Sequence, residues 1–247
     1  MSITTEEELR GMREVGRIVG AALKELAVQV RPGVTTAELD KRAAQILERN
    51  GAQSAPIAVY GFPGSICISV NDEVVHGIPG PREIREGDLV KLDLTAEKNG
   101  YMGDAAVSVI VPPATDDARR LARCAERAFG KAAKVARAGR KISDIGRVVE
   151  EEVKRNGFSV IRDLCGHGIG RTIHEAPTVL NYFDPHETGR LTEGLVITIE
   201  PIIAAGGGDG VMGNDGWTVR TRDRSLAAHF EHTLVITRDE PILLTAA

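Results

Sequence analysis

Five residues far apart in the chain, Asp93, Asp104, His167, Glu200 and Glu231, are of the types that bind hard and borderline divalent cations. Asp93 follows an apolar-alternating stretch, Leu89-Val90-Lys91-Leu92, and Asp104 lies on the far side of Asn99-Gly100. Asn-Gly between two such stretches is a strong signal for a hairpin. The two acids are therefore expected to face each other across an antiparallel pair. Opposed carboxylates repel, so either a cation sits between them or each is solvated at a strand end. Glu200 closes the apolar run Leu195 to Ile199, and Glu231 opens the run Thr233 to Ile236. Taken singly, these are strand-end charges. With His167 they make an oxygen-rich set able to hold two divalent ions, which suits metal-assisted hydrolysis.

His167 sits in Gly166-His167-Gly168-Ile169-Gly170-Arg171-Thr172-Ile173-His174-Glu175. Glycine lets the backbone approach a ligand closely. The stretch reads either as two imidazoles aimed at a cleft or as a glycine-rich turn with two solvated histidines.

Other chemistries fit less well. His174-Glu175 lacks the spacing of a His-Glu-x-x-His zinc helix, and no Gly-x-Ser-x-Gly elbow is present. Gly208-x-Gly210-x-x-Gly213 precedes a strand instead of opening a helix, which rules out a dinucleotide fingerprint. Cys67, Cys124 and Cys165 are too few for a disulfide frame and read as reduced thiols. A net charge of −4 gives no electrostatic case for nucleic acid or an anionic membrane. The start of the chain is acidic and carries no apolar signal core, and no apolar run reaches membrane length, so a cytoplasmic location is expected.

The elements that must position these residues are an ordinary mixture of helices and strands in 247 residues, of which 42% are hydrophobic. Thr5 to Glu8 reads as a capping box that opens a helix through Leu9, Met12, Val15, Val19, Leu23 and Leu26, ended by Arg31-Pro32-Gly33. A second helix is predicted from Thr35 to Asn50-Gly51, a third from Thr115 to about Arg137, and a fourth from Ser143 to Asn156. Hairpins are predicted around Asn71-Asp72 and Asn99-Gly100, and strands over residues 159–162, 195–200, 217–221 and 231–237. The six-glycine loop from Ala205 to Gly216 is the segment expected to move.

The two halves echo each other. Arg31-x-Gly33, Leu39 and Asn50-Gly51 recur as Arg137-x-Gly139, Ile145 and Asn156-Gly157. Glu86 to Asp93 likewise parallels Glu193 to Glu200. The repeat puts Asp93 and Glu200 at matching ends of matching strands, where a pseudo-symmetric sheet brings them together.

At this level of detail the chain resembles the type I methionine aminopeptidases of the bacterial kind, in the M24 metallopeptidase family. The resemblance is carried by Gly61-Phe62-Pro63, Ser65 to Asn71, His76-Gly77-Ile78-Pro79, Asp93, Gly103-Asp104, Gly166 to Gly170, Thr198 to Pro201, Asp215 to Thr218, and Asp223 to Thr233. It covers essentially the whole chain. It implies an α/β, pseudo-two-fold duplicated "pita-bread" fold in which a central antiparallel curved sheet is covered by helices. Residues 1–247 would form a single catalytic domain of two related halves, about 1–113 and 114–247.

The resemblance further implies two divalent ions, Mn, Fe, Co or Zn, held by Asp93, Asp104, His167, Glu200 and Glu231, with Asp104 and Glu231 bridging. A metal-bound hydroxide would attack the first peptide carbonyl, with Glu200 as general base. His174 would bind the carbonyl oxygen, and His76 would lie near the scissile nitrogen. Phe62, Cys67, Trp217, Ile173 and Val59 would form the methionine pocket. His186, His229 and His232 are read as structural or solvated. The implied activity is removal of the N-terminal methionine from nascent proteins whose second residue is small, by a monomer that can touch the ribosome transiently. Ile173 stands where the family usually has an aromatic, Val59-Tyr60 where Tyr-His is frequent, and Ala105-Ala106 where a hydroxyl residue is common. These departures bear on methionine selectivity. The rival readings are a proline-directed aminopeptidase of the same fold and a catalytically silent ribosome- or RNA-associated binding protein.

Overall fold

The computed structural model describes residues 1–246. Helix α1 (Glu6–Ala27) opens on the expected capping box: Glu8 N donates to Thr5 Oγ1 at 3.2 Å, and Thr5 N donates to Glu8 Oε2 at 3.3 Å. Its stripe of Met12, Val15, Val19, Leu23 and Leu26 is buried against the strands Leu89–Lys98 and Tyr101–Ile110. Helix α2 (Thr36–Arg49) starts on a second capping box, Thr35 with Glu38, and stops at Asn50 with Gly51 in the left-handed region, φ 62°.

Helix α3 (Ala55–Tyr60) was not expected. It is too short for an apolar period, and only Pro56 in its first turn and left-handed Gly61 after its last residue mark it. Helix α4 (Asp116–Val135) ends before Arg137 because Ala136 already leaves helical geometry at ψ 73°. Helix α5 (Ile142–Arg155) packs beside α4 in a second apolar cluster that includes Leu121, Ala125, Ile145, Val149, Ile197 and Leu234.

The central sheet has nine antiparallel strands. Across it run Gln53–Ser54, Leu89–Lys98, Tyr101–Ile110, Glu231–Val235, Val196–Ile199, Cys165–Gly168 and Glu175–Leu180. Cys67–Val70 also pairs with Leu89–Lys98, and Ile242–Leu243 with Glu231–Val235. Two small sheets flank it. One joins Ala227–His229, Ile202–Ala204 and Ser159–Val160; the other joins Gly210–Met212, Val219–Thr221 and Glu73–Val75.

The repeat is built into the backbone. Gly33 (φ 85°) donates its N–H to Ile84 O, and Gly139 (φ 87°) donates to Leu191 O. Bridges Thr35–Glu83 and Lys141–Arg190 follow at the same relative positions, immediately before α2 and α5. The strands that lead to Asp93 and Glu200 thus occupy corresponding places in a duplicated fold.

Several local expectations are corrected. Ile66–Val70 and Glu73–Val75 do not pair as a hairpin, because the Glu73 carboxylate accepts the Val70 N–H at 2.7 Å and ties to Arg82 and Arg220. The two strands then part, one to Leu89–Lys98 and the other to Val219–Thr221. The glycine-rich stretch is not a free turn either: Cys165–Gly168 and Glu175–Leu180 pair antiparallel. The 205–216 loop contains a paired segment, Gly210–Met212, although it was expected to be a mobile loop throughout. The remaining strands are shorter than expected, ending at Val160, Ile199 and Val235, and the strand predicted from 217 begins at Val219.

A Cβ on Gly168 would meet Ala176 O at 2.1 Å, a backbone atom that cannot swing away. Gly168→Ala should destabilise the fold by about 1–3 kcal/mol through strand displacement. Denaturant unfolding checks this, and a variant as stable as the parent would show that the two strands can part freely.

Candidate metal centre

The sheet places one acid beside another by register. Asp93 lies opposite Ala106, and Ala106 lies opposite Glu231 on its other side. Alternation puts these three side chains on one face, with only a methyl between the two carboxylates. Asp104 lies opposite Thr95, so Asp93 and Asp104 are diagonal neighbours and do not face each other directly as expected. They remain on the same face and within hydrogen-bonding reach of one another. Glu200 follows Val196–Ile199, and His167 comes from Cys165–Gly168 on the next strand.

Threonines fix several of these groups. Thr95 Oγ1 donates to Asp104 Oδ2 at 2.8 Å, and Asp104 N donates to Thr233 Oγ1 at 2.9 Å. Thr198 Oγ1 donates to Glu200 Oε1 at 3.0 Å and accepts from His167 N at 3.1 Å. His167 Nδ1 is 2.9 Å from Gly168 O, which puts the ring proton there and leaves the Nε2 lone pair facing Glu200 Oε1, 3.6 Å away. Asp104 Oδ1 and Glu231 Oε1 are buried with no protein partner.

Burial raises the pKa of Asp93, Asp104, Glu200 and Glu231, and repulsion from neighbouring acids adds to the rise at Asp93, Glu200 and Glu231. For Glu200 burial comes first, then the charges of Asp104 and Asp93; for Glu231 burial, then Asp104, Glu200 and Asp93. Thr95 opposes the rise at Asp104. Such a group of buried acids lacks a counter-charge from the protein. Ligand atoms of Asp104, His167 and Glu231 all lie within 4.8 Å of one another, as do those of Glu200, His229 and Glu231. Oxygen donors with imidazole, and orphan carboxylate oxygens among them, fit divalent metal ions.

These groups form the floor of a cavity of about 450 Å³. Its apolar wall includes Phe62, Cys67, Ile173, Ile202 and Trp217, with Phe62 and Trp217 edge to face at 5.2 Å. Val59, expected in this wall, is exposed and does not line the cavity; α3 presents Pro56 and Tyr60, one turn apart, instead. His76 sits at the cavity in a left-handed conformation, φ 57°. His174 stands with its ring 4.4 Å from that of His167. The loop that carries Ile173 and His174 is closed by Glu175, whose Oε1 accepts from Arg171 N and Thr172 N at 2.7 and 2.9 Å. The Met1 amine pairs with the other oxygen of Glu175.

Three titratable lining residues escaped the sequence reading. The Tyr60 hydroxyl is 2.6 Å from His174 Nδ1. Cys165 lines the cavity near Glu200. His229 lies fully buried between Glu200 and Glu231, its pKa lowered by burial to about 3. Its position two residues before Glu231 was the available signal.

The chain belongs to metallopeptidase family M24, whose model matches residues 10–238. It is 44% identical to methionine aminopeptidase 2 of Bacillus subtilis over 247 residues, 99% of each chain. The crystal structure of methionine aminopeptidase from Rickettsia prowazekii superposes with a TM-score of 0.95 at 38% identity, covering 99% of this chain and 100% of that one. That of the Thermotoga maritima methionine aminopeptidase gives a TM-score of 0.97 at 36% identity, covering 100% of both. No helix among the described residues is long and apolar enough to cross a membrane.

Proposed function

We propose that the chain is a metal-dependent aminopeptidase that removes the N-terminal methionine from nascent proteins whose second residue is small. The observation that carries this reading is the cluster of buried acids around His167 at the foot of an apolar cavity. Asp93, Asp104, His167, Glu200 and Glu231 would hold two divalent ions, Mn, Fe, Co or Zn. Bound there, the metal ions supply Lewis acidity that lowers the pKa of water and polarises the scissile carbonyl.

The chain's own residues do the rest. Glu200 takes the proton of the attacking water and returns it to the leaving amine. The Tyr60 hydroxyl donates to His174 Nδ1, so the imidazole proton resides on Nε2, where it can be donated to the carbonyl oxygen as charge develops. His76 lines the same cavity and in this reading meets the scissile nitrogen or the next residue. Phe62, Cys67, Ile173 and Trp217 receive the methionine thioether, which suits a polarizable apolar wall.

Residues 1–113 and 114–247 act as one catalytic domain, because Asp93 and Asp104 come from the first half and His167, Glu200 and Glu231 from the second. A monomer in the cytoplasm, in transient contact with the ribosome, is the setting that fits. The rival readings gain nothing specific: a silent binding protein has no use for this group of buried acids, and no feature of the cavity favours proline. Release of Met from Met-Ala-Ser, dependent on added metal, tests the proposal.

Two variants refine it. Tyr60→Phe should lower kcat by about tenfold with KM little changed, less than the ~10²–10³ lost with an oxyanion donor itself. An unchanged kcat would make the hydroxyl a spectator. Ile173→Phe should change discrimination between Met and Leu substrates, because Ile173 is buried in the cavity wall. Equal ratios in variant and parent, from kcat/KM on paired peptides, would remove Ile173 from the pocket.

A further inference from the structure

His229 belongs to none of the roles assigned so far, yet its ring is almost fully enclosed at the site. Only 1% of the residue is exposed, and neither Nδ1 nor Nε2 has a hydrogen-bond partner. Its backbone is fixed on both sides by one hydroxyl: His229 N donates to Ser108 Oγ at 3.0 Å, and Ser108 Oγ donates to His229 O at 2.8 Å. The strand Ala227–His229 also pairs with Ile202–Ala204. From this fixed base, Nε2 points between two of the acids, 3.4 Å from Glu231 Oε2 and 3.7 Å from Glu200 Oε2.

The opposite oxygens of the same carboxylates face the other way. Glu200 Oε1 faces Thr198 and His167, and Glu231 Oε1 has no partner. Nδ1 meets no acceptor, so the tautomer with its proton on Nε2 is the one that avoids an orphan donor. That proton then lies between two acceptor oxygens. Closing the contact to a hydrogen bond needs about 0.5 Å, which a carboxylate turning about its own axis supplies.

We propose that His229 is a positioning residue of the metal centre. Its Nε2–H is shared by Glu200 Oε2 and Glu231 Oε2, which leaves the Oε1 atoms of both turned toward the cations. The inference rests on the proposed metal site and deepens it, adding a partner shared by one bridging ligand and the proton-accepting glutamate. Groups that orient ligands in this way typically contribute roughly 10- to 100-fold in metal affinity. Direct ligation by Nε2 is the competing arrangement, since the ring nitrogen and both carboxylates are close enough to share one ion.

The deciding experiment uses the full-length protein, ¹⁵N-labelled at histidine and loaded with ¹¹³Cd. The expected spectrum shows a proton bonded to His229 Nε2 and no ¹⁵N–¹¹³Cd splitting at that nitrogen. Calorimetric titration with Mn(II) should show affinity reduced roughly 10- to 100-fold in His229→Leu. His229→Gln, which keeps an N–H donor at similar reach, should recover most of it. Cadmium splitting at His229 Nε2 would make it a ligand and overturn the proposal, as would unchanged affinity in His229→Leu. A wild-type protein that binds neither ion would overturn the metal site itself. The spectrum of the wild-type protein decides the matter even if a variant fails to fold.

Discussion

Glu200→Ala lowers kcat on Met-Ala-Ser by at least the ~10²–10⁴-fold typical of a lost general base. The loss is expected to be this large because the proposed mechanism uses the carboxylate twice, as proton acceptor and as one of five metal-binding groups. Thr198 Oγ1 donates to Glu200 Oε1 and so holds that oxygen in one position at the cavity floor. Alanine leaves no group that can be held there. The measurement is steady-state turnover at saturating metal, with bound metal counted separately so that lost chemistry is distinguished from lost occupancy. A variant that turns over at a near-normal rate would remove Glu200 from both roles.

Chelation should have the second large effect, and its pH dependence has a definite sign. Burial raises the folded-state pKa values of Asp93, Asp104, Glu200 and Glu231 above the ~3.9–4.3 of unfolded carboxylates, and neighbouring acids add to the rise at Asp93, Glu200 and Glu231. A raised folded pKa means stability that is fully present below the unfolded value and lost as pH rises through the folded one. In the chelated protein, then, this cluster favours folding at acid pH and opposes it as pH rises through the raised values. A divalent ion displaces the protons and removes that opposition. The gain in Tm on adding metal should therefore grow between about pH 5 and pH 8, corresponding to about 2.7 kcal/mol when free metal is 100 times its Kd. Binding near neutral pH should also release protons, measurable by calorimetry in two buffers of different ionisation enthalpy. A Tm gain independent of pH, with no proton release, would mean that the acids are already ionised in the chelated protein.

Much of this site could be read from the chain because Glu200 and Glu231 sit at strand ends and Asp93 and Asp104 flank a clear hairpin turn. The apolar runs marked Asp93 and Glu200 and the repeat set them at matching places, and Gly33 with Gly139, then Thr35 with Lys141, show that repeat in the backbone. The diagonal relation of Asp93 and Asp104 was also within reach. A two-residue turn at Asn99-Gly100 sets Asp93 opposite Ala106, and the expectation of facing acids did not carry the register through.

Other features depended on contacts distant in sequence. The missing hairpin at Asn71-Asp72 follows from Glu73, whose carboxylate is held by Arg82 and Arg220, and Arg220 is 147 residues away. No local pattern predicts that pairing. Helix α3 spans only six residues, so nothing in its sequence set which of Val59 and Tyr60 would face the cavity. His229 was hidden by its neighbours: among Ala227, Ala228 and Phe230 it reads as one polar residue in an apolar strand, and only the packing shows its Nε2 beside Glu200 and Glu231.

The most direct test of the account is a single competition assay. Metal-stripped protein, then protein reloaded with manganese or cobalt, is incubated with Met-Ala-Ser, Met-Lys-Ser and Ala-Pro-Ser, and the products are read by mass spectrometry. The account predicts release of Met from Met-Ala-Ser only, and only after reloading. Cleavage of Ala-Pro-Ser, or no cleavage by protein that demonstrably binds the metal, would contradict it.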